Sequence, residues 1–327
     1  MAPSRTKTET RPPFVMADAA VRAGASRLVE LPVGHLPPGT VSSMPVMVIH
    51  GRRPGPTVWL SGAIHGDEVN GIEIVRRLVL QLDAKSLAGT VLAVPIVNIF
   101  GVTAGDRYLP DRRDLNRSFP GSPRGSLGAR IAHIFFDNVV SRCDIGLDFH
   151  SGSAGRSNLS QIRCDLDQPE TRRLALTFGA PVTLHATLRD GSLRAAARKR
   201  GTPVLLYETG EAHRFDEAGI RRGVDGALRV LGTLGMISAE AATAAETSIL
   251  ARSSSWVRAG RGGFVHLDVE LGESVQAGQT LGRVIQTLGR GRVPLRSREA
   301  GIVIGVLRNA LVHHGDAVVH VASADEC

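Results

Sequence analysis

His65-Gly66-Asp67-Glu68, together with His150 in Asp148-Phe149-His150-Ser151-Gly152, offers the donor types that hold a divalent metal. Two imidazoles and one carboxylate make three ligands, and a tetrahedral ion would keep its fourth position for a water, as in a catalytic zinc site. A +2 ion with neutral histidines and one anionic carboxylate leaves the site net positive, which acidifies that water. The expected cofactor is Zn2+, one per chain, on His65, Glu68 and His150. Their spacing is compatible: residues three apart meet across a turn or a first helical turn. Alone, it fits equally a loop histidine before a helix-start glutamate. His150 adds weight because it ends an apolar run. Asp148, two residues earlier on the same side of a strand, can orient a ligand or a neighbouring arginine.

Three more residues complete a candidate reaction centre. Glu208, in Tyr207-Glu208-Thr209-Gly210, ends another apolar run, where reduced solvation raises a carboxyl toward the range useful for proton transfer. The plain alternative is a strand-end carboxylate paired with an arginine. In Asp114-Leu115-Asn116-Arg117, Arg117 can clamp a carboxylate with two parallel hydrogen bonds and Asn116 can add an amide donor. The competing reading is a turn cap beside a surface charge. Arg107, Arg112, Arg113, Arg156 and Arg163 could widen an anion-binding surface, and spacing assigns none of them individually.

The elements that must carry these groups alternate. Strands are expected at RLVELPV, MPVMVIH and TVWLSGA, a helix at Val69–Leu82 with apolar Ile72, Val75, Leu78 and Val79, and a strand at VLAVPIV. Asn98–Gly128 reads as a long polar loop of functional character. Then come a helix at IAHIFFDNVV, a buried strand at IGLDFH, a helix at 168–178, a strand at 181–185, a short helix at 191–200, a strand at VLLYE and a helix at 217–236. The pattern is α/β, with His150 at a strand's C-terminal end, where open α/β sheets place active groups. Residues 1–15 read as a loose tail, and 16–245 as the catalytic domain.

Past the alanine-rich connector AEAATAAETS, short β runs from Trp256 onward indicate a small all-β domain within 246–327. Its QAGQTLG and EAGIVIG repeats resemble the biotinyl/lipoyl carrier hammerhead. That family modifies a lysine in a central hairpin, and no lysine follows Lys199. The expectation is a lid, a channel wall or an oligomer contact instead of a carrier.

The 327 residues, 43% hydrophobic and 21% charged, suffice for a sizeable core. Cys143, Cys164 and Cys327 have neither paired-ligand spacing nor an even count, which fits a reducing compartment. No signal-like apolar run opens the chain and no apolar stretch reaches the roughly 18 residues of a membrane span, so cytoplasmic localisation and no membrane partner are expected. The net charge of +8 comes from dispersed arginines with only 4% aromatics, which argues against nucleic acid and for steering of small anions.

In order, Gly62-Ala-Ile-His65-Gly-Asp-Glu68, Asp114-Leu-Asn116-Arg117-Ser-Phe-Pro-Gly121, Asp148-Phe-His150-Ser-Gly152 and Tyr207-Glu208-Thr-Gly210 resemble the succinylglutamate desuccinylase/aspartoacylase family of the zinc carboxypeptidase superfamily. The likeness spans about residues 40–240. It implies a zinc carboxypeptidase-like mixed-sheet domain, zinc on His65, Glu68 and His150, and general acid/base work by Glu208. It also implies carboxylate or oxyanion binding by Asn116 and Arg117, and a C-terminal β domain that narrows access. The implied reaction is hydrolysis of the amide of a small, carboxylated N-acyl amino acid. Ser151 after the third ligand replaces the family's common threonine, and Thr209 replaces its usual apolar residue, so the acyl group stays unassigned. A short-peptide metallocarboxypeptidase is the nearest rival, followed by a non-catalytic binding homologue. A serine hydrolase is disfavoured because Ser151-Gly-Ser153-Ala-Gly155 lacks the first glycine of the nucleophile elbow. No GxGxxG follows an early strand, which disfavours a dinucleotide enzyme.

Overall fold

Strand and helix alternate as the periodicity predicts, in a computed structural model that describes residues 11–35, 38–238, 247–288 and 291–324. A short hairpin, β1 (Phe14–Met16) and β2 (Ala19–Val21), precedes β3 (Ala25–His35), β4 (Val41–His50) and β5 (Arg53–Gly62). Helix α1 (Val69–Gln81) buries Ile74, Val75 and Leu78 and leads to β6 (Ala88–Val94), which stops before Pro95. The expected loop at 98–128 holds a short helix, α2 (Ile99–Ala104), capped by the Asn98 side chain, and then α3 (Leu127–Asn138) begins. β7 (Ile145–Gly152), β8 (Arg156–Cys164), α4 (Pro169–Phe178), β9 (Val182–His185), α5 (Leu193–Lys199), β10 (Val204–Glu211) and α6 (Glu217–Thr233) follow.

β5, β6, β7 and β10 form the parallel centre of a 12-stranded mixed sheet. Because side chains alternate along a strand, each central strand feeds both faces. Val58, Leu60, Leu147, Phe149 and Tyr207 pack with α1, α4 and α6 on one face. Trp59 packs on the other, with α3 and α5. Asp148, His150 and Glu208 share that second face by the same period.

Three features depart from the sequence reading. The tail expected at 1–15 is ordered from Arg11, whose guanidinium donates to the carbonyls of Gly51 and Gly89, while residues 1–10 lie outside the described residues. β8 was not expected, because RSNLSQIRC has no apolar run; it lies between neighbours on both sides and pairs with β10 and β9. Most of the connector, 239–246, lies outside the described residues, yet the β region starts before Trp256, with β11 (Ile249–Arg258).

β11 is followed by β12 (Gly263–Leu267), β13 (Ser274–Val275), β14 (Thr280–Ile285), β15 (Arg292–Arg296), β16 (Gly301–Leu307), β17 (Leu311–Val312) and β18 (Ala317–Ala324). β15, β14, β12 and β17 make a separate four-stranded sheet. The others join the large sheet: β11 pairs with β9 and β18, β18 with β16, and β16 with β8. With the β8–β9 pairing these contacts close a five-stranded ring. Val182, Leu184, Ala251, Ile302, Ile304 and Ala322 form one buried cluster among its strands. No helix among the described residues is long and apolar enough to cross a membrane.

Gly146 on β7 marks the tightest packing of the centre, since a Cβ there would fall 1.9 Å from the fully buried Trp59 ring. Overpacking against a rigid indole belongs at the upper end of the usual range, about 3 kcal/mol. Gly146→Ala should therefore lower the urea midpoint sharply with an unchanged slope; a midpoint equal to the native one would show that Trp59 can move aside.

Candidate active site

The chain leaves β5 at Gly62 and turns through Ala63 at φ 48°, which brings His65 and Glu68 in beneath the start of α1. Glu68 sits at the helix N-cap position but makes no capping bond. Its buried carboxylate reaches inward, with Oε1 2.7 Å from His65 Nδ1 and Oε2 2.8 Å from His150 Nδ1. His150 arrives on β7, whose parallel register sets Ser61 against Asp148. One ligand atom from each of His65, Glu68 and His150 lies within 4.8 Å of the other two.

The far nitrogen of each ring is also held. His65 Nε2 lies 3.2 Å from Asp114 Oδ1, and His150 Nε2 lies 2.8 Å from Asp148 Oδ2. Asp148 is itself fixed by the Ser61 hydroxyl, which donates at 2.7 Å. Arg107 donates to Glu68 and Asp114, and Ser153 donates to Glu68 at 2.7 Å. This carboxylate–imidazole arrangement fixes ring orientation and leaves Nδ1 of both histidines facing one point, as carboxylates bonded to the outer nitrogens of metal-ligating histidines do.

Electrostatics point the same way. Burial alone would keep His150 neutral, but Asp148 and Glu68 outweigh it and raise its pKa well above the ordinary value. Burial likewise opposes the charge on His65, and Glu68 and Asp114 raise it. Burial pushes Glu68 up, yet the two facing imidazoles hold it well below the carboxylate range. Three carboxylates around two rings thus favour added positive charge at their centre. A divalent cation would supply that charge, and the imidazole and carboxylate donors fit zinc.

Gly62 and Gly66 let chain segments touch. A Cβ on Gly62 would meet Gly71 of α1 at 2.6 Å, and one on Gly66 would meet Gly101 of α2 at 2.0 Å. Another acid–histidine group, Asp165, Asp167 and His185, is partly exposed, and its carboxylates are paired with Arg198 and Arg252.

The cluster opens into a cavity of about 720 Å³. Seven arginines line it, Arg117, Arg163 and Arg194 among them, against three carboxylates, Glu68, Asp148 and Glu208. Glu208 on β10 is directly in register with His150 on β7. Its Oε2 accepts from the Asn158 amide at 2.8 Å, and Arg163 stands 3.8 Å from Oε1. Asn116 lines the cavity with its Oδ1 taken by the Leu193 amide, so the donor left for a ligand is its NH2 group. Arg117 also lines it and bonds the Asn116 carbonyl at 2.5 Å. Arg252, Ser253, Ser254, Trp256 and His320 bring the C-terminal strands to the opposite wall. His320 stacks on Trp256 at 4.4 Å, and burial, with Arg163 and Arg189 nearby, pushes its pKa down to about 3.

Sequence reasoning did not assign Asp114 to His65, Arg107 and Ser153 to Glu68, or Asn158 to Glu208. Asp114 lay inside a quoted motif and Arg107 among the unassigned arginines. Asn158 had no visible signal, because the strand that carries it was not expected.

Fold and site define a mixed α/β protein with a buried His-Glu-His cluster at the base of an arginine-lined cavity. A family model for the succinylglutamate desuccinylase/aspartoacylase catalytic domain matches residues 54–234, more than half of the chain, and the chain belongs to that family. It is 31% identical over 299 residues to an N-alpha-acetyl-L-2,4-diaminobutyric acid deacetylase of Halomonas elongata, covering 86% of each. Its fold matches a succinylglutamate desuccinylase/aspartoacylase from Rhodobacter sphaeroides with TM-score 0.83 and 27% identity, over 92% of this chain and 96% of that one. It also matches the product-bound ectoine utilization protein EutE (DoeB) from Ruegeria pomeroyi with TM-score 0.84 and 26% identity, over 97% and 100%.

Asp148→Asn and Asp114→Asn keep shape but weaken the grip on the ring Nε2 atoms. Each should loosen zinc by about 10–100-fold in a chelator competition. Native affinity in both variants would mean that the two carboxylates do not support the site.

Proposed function

We propose that this protein is a zinc-dependent deacylase that hydrolyses the amide of a small, carboxylated N-acyl amino acid. The observation that carries the reading is the convergence of His65, Glu68 and His150 at the base of an arginine-lined cavity, with Glu208 one strand away. Its relatives named as a deacetylase and as desuccinylase/aspartoacylase support the same reaction class.

His65, Glu68 and His150 would hold one zinc, which when bound supplies a Lewis-acid centre and brings the pKa of a water near neutrality. Glu208 takes a proton from the attacking water on a carboxylate oxygen and returns it to the departing amine nitrogen. The Asn116 amide and the Arg117 guanidinium donate to the substrate carboxylate or to the oxyanion of the tetrahedral intermediate. The excess of arginines draws in an anionic substrate and aligns it before reaction. Water adds to the acyl carbon, the C–N bond breaks, and a carboxylic acid and an amine leave.

Metal analysis of the purified protein, with amine release measured over N-acetyl, N-succinyl and N-aspartyl amino acids, tests this reading. About one zinc per chain is expected, and Glu208→Gln should lose at least about 100-fold in kcat. Absence of zinc together with full activity of that variant would sink the mechanism.

Arg117→Ala separates recognition from chemistry. It should reduce kcat/KM for a carboxylated substrate by about 100-fold, near 2.7 kcal/mol, and change a matched uncharged amide far less. Equal losses on both would place Arg117 on the oxyanion instead of the carboxylate.

A further inference from the structure

Glu208 must present one carboxylate oxygen to the cavity in a fixed direction, and its side chain has three torsions to immobilise. Arg163 does not do this, since 3.8 Å is beyond hydrogen-bond range. The hydrogen bond that Glu208 does receive comes from Asn158, whose Nδ2 donates to Oε2 at 2.8 Å. Asn158 is 8% exposed. Anchoring Oε2 leaves Oε1 as the oxygen free to exchange a proton.

The position of Asn158 is itself determined by the ring closure. β8 pairs with β10 on one side, where Asn158 lies opposite Gly210. On its other side its partner changes along its length, from β9 at Gln161–Cys164 to β16 at Arg156–Asn158. Asn158 lies opposite Gly305 of β16. A Cβ on Gly305 would stand 3.1 Å from Asn158 Oδ1, 3.2 Å from the His320 Cβ and 3.5 Å from the Trp256 ring. The first two distances are tighter than ordinary contact, so the missing side chain at 305 gives the Asn158 amide its room. The register of β16 also shifts between Val303 and Gly305, which brings this glycine to the closure.

We infer that Asn158 is a positioning residue for Glu208, and that the C-terminal strand β16, through Gly305, fixes the amide that orients the proton-transferring carboxylate. This rests on Glu208 being the acid/base of the proposed hydrolysis. It gives the C-terminal strands a part in the chemistry beyond lining the cavity.

Asn158→Leu keeps the volume and removes the donor. With the fastest substrate of the acyl-amino-acid panel, kcat should fall about 10–100-fold, as expected for a misdirected reacting group, with KM within about 3-fold and zinc content unchanged. Gly305→Ala should lower kcat in the same direction but less. The decisive measurement is a double-mutant cycle. In Glu208→Asp, whose shorter carboxylate no longer reaches the amide, adding Asn158→Leu should change kcat by less than about 2-fold. Losses that multiply across the cycle would overturn the inference while leaving the role of Glu208 intact. Unchanged kcat in Glu208→Gln would instead overturn the reading on which it rests. Independently of any assay, a crystal structure of Asn158→Leu should show the Glu208 carboxylate moved from its native place. An unmoved carboxylate, or native kcat in Gly305→Ala, overturns the corresponding link from Asn158 to Glu208 or from β16 to Asn158.

Discussion

The buried Glu68 carboxylate, bridging the Nδ1 atoms of His65 and His150, is the interaction around which the rest of the site is arranged. A carboxylate removed from water is strongly destabilising unless each oxygen is satisfied. Here the two rings, the Ser151 amide, the Ser153 hydroxyl and Arg107 all converge on it. The rings in turn need partners on their outer nitrogens, which Asp114 and Asp148 provide. Satisfying one carboxylate thus draws in the turn after β5, the end of β7 and the loop before α3. The result is a cluster that favours positive charge at its centre, the property a metal site needs before the metal arrives.

Sheet register decides whether this cluster can exist. Asp148, His150 and Glu208 share one face because strand side chains alternate, and the in-register pairing of β7 with β10 sets Glu208 beside His150. A slip of one residue in β7 would turn His150 into the apolar layer under α1, α4 and α6, and bring Phe149 into the polar cavity. The apolar residues between the functional ones, Leu147, Phe149 and Tyr207, are fully or almost fully buried and resist that slip. The geometry of the cluster and the packing of the core are therefore two faces of the same strands.

Much of this could be read in the chain. Ile145–Phe149 and Val204–Tyr207 are apolar runs with turn or helix signals around them, so the strands carrying His150 and Glu208 were legible. The donor chemistry of His65, Glu68 and His150 was legible for a different reason: the pair alone is ambiguous, and its order with the Asn116-Arg117, His150 and Glu208 motifs resolves it. β8 was not. Its Arg156, Asn158, Gln161 and Arg163 are polar or charged, and the strand exists because three neighbouring strands supply its backbone partners. Asn158 is consequently invisible to a reading based on local hydrophobicity, as is the extension of the β region back to Ile249. Long-range pairing determined both, and long-range pairing leaves little periodicity in the sequence.

The same pairing bears on how the cavity admits its ligand. A lid must move relative to the site it covers; movement of β11 or β16 would break backbone ladders to β9 and β8, and movement of β18 would break those to β11 and β16. It would also open the apolar cluster built from β9, β11, β16 and β18. Those losses fall together because the strands form a closed ring, an arrangement that suits a wall better than a moving lid. Trp256 and His320, stacked face to face on that wall, line the same cavity as the His-Glu-His cluster. For the proposed acyl-amino-acid substrate, the space between wall and cluster would limit length, and the seven lining arginines would favour negative charge. The loop after β9 adds Thr187, Arg189 and Ser192 to the lining, and it is anchored to the ring at its start, where the Ala186 amide donates to the Cys164 carbonyl of β8.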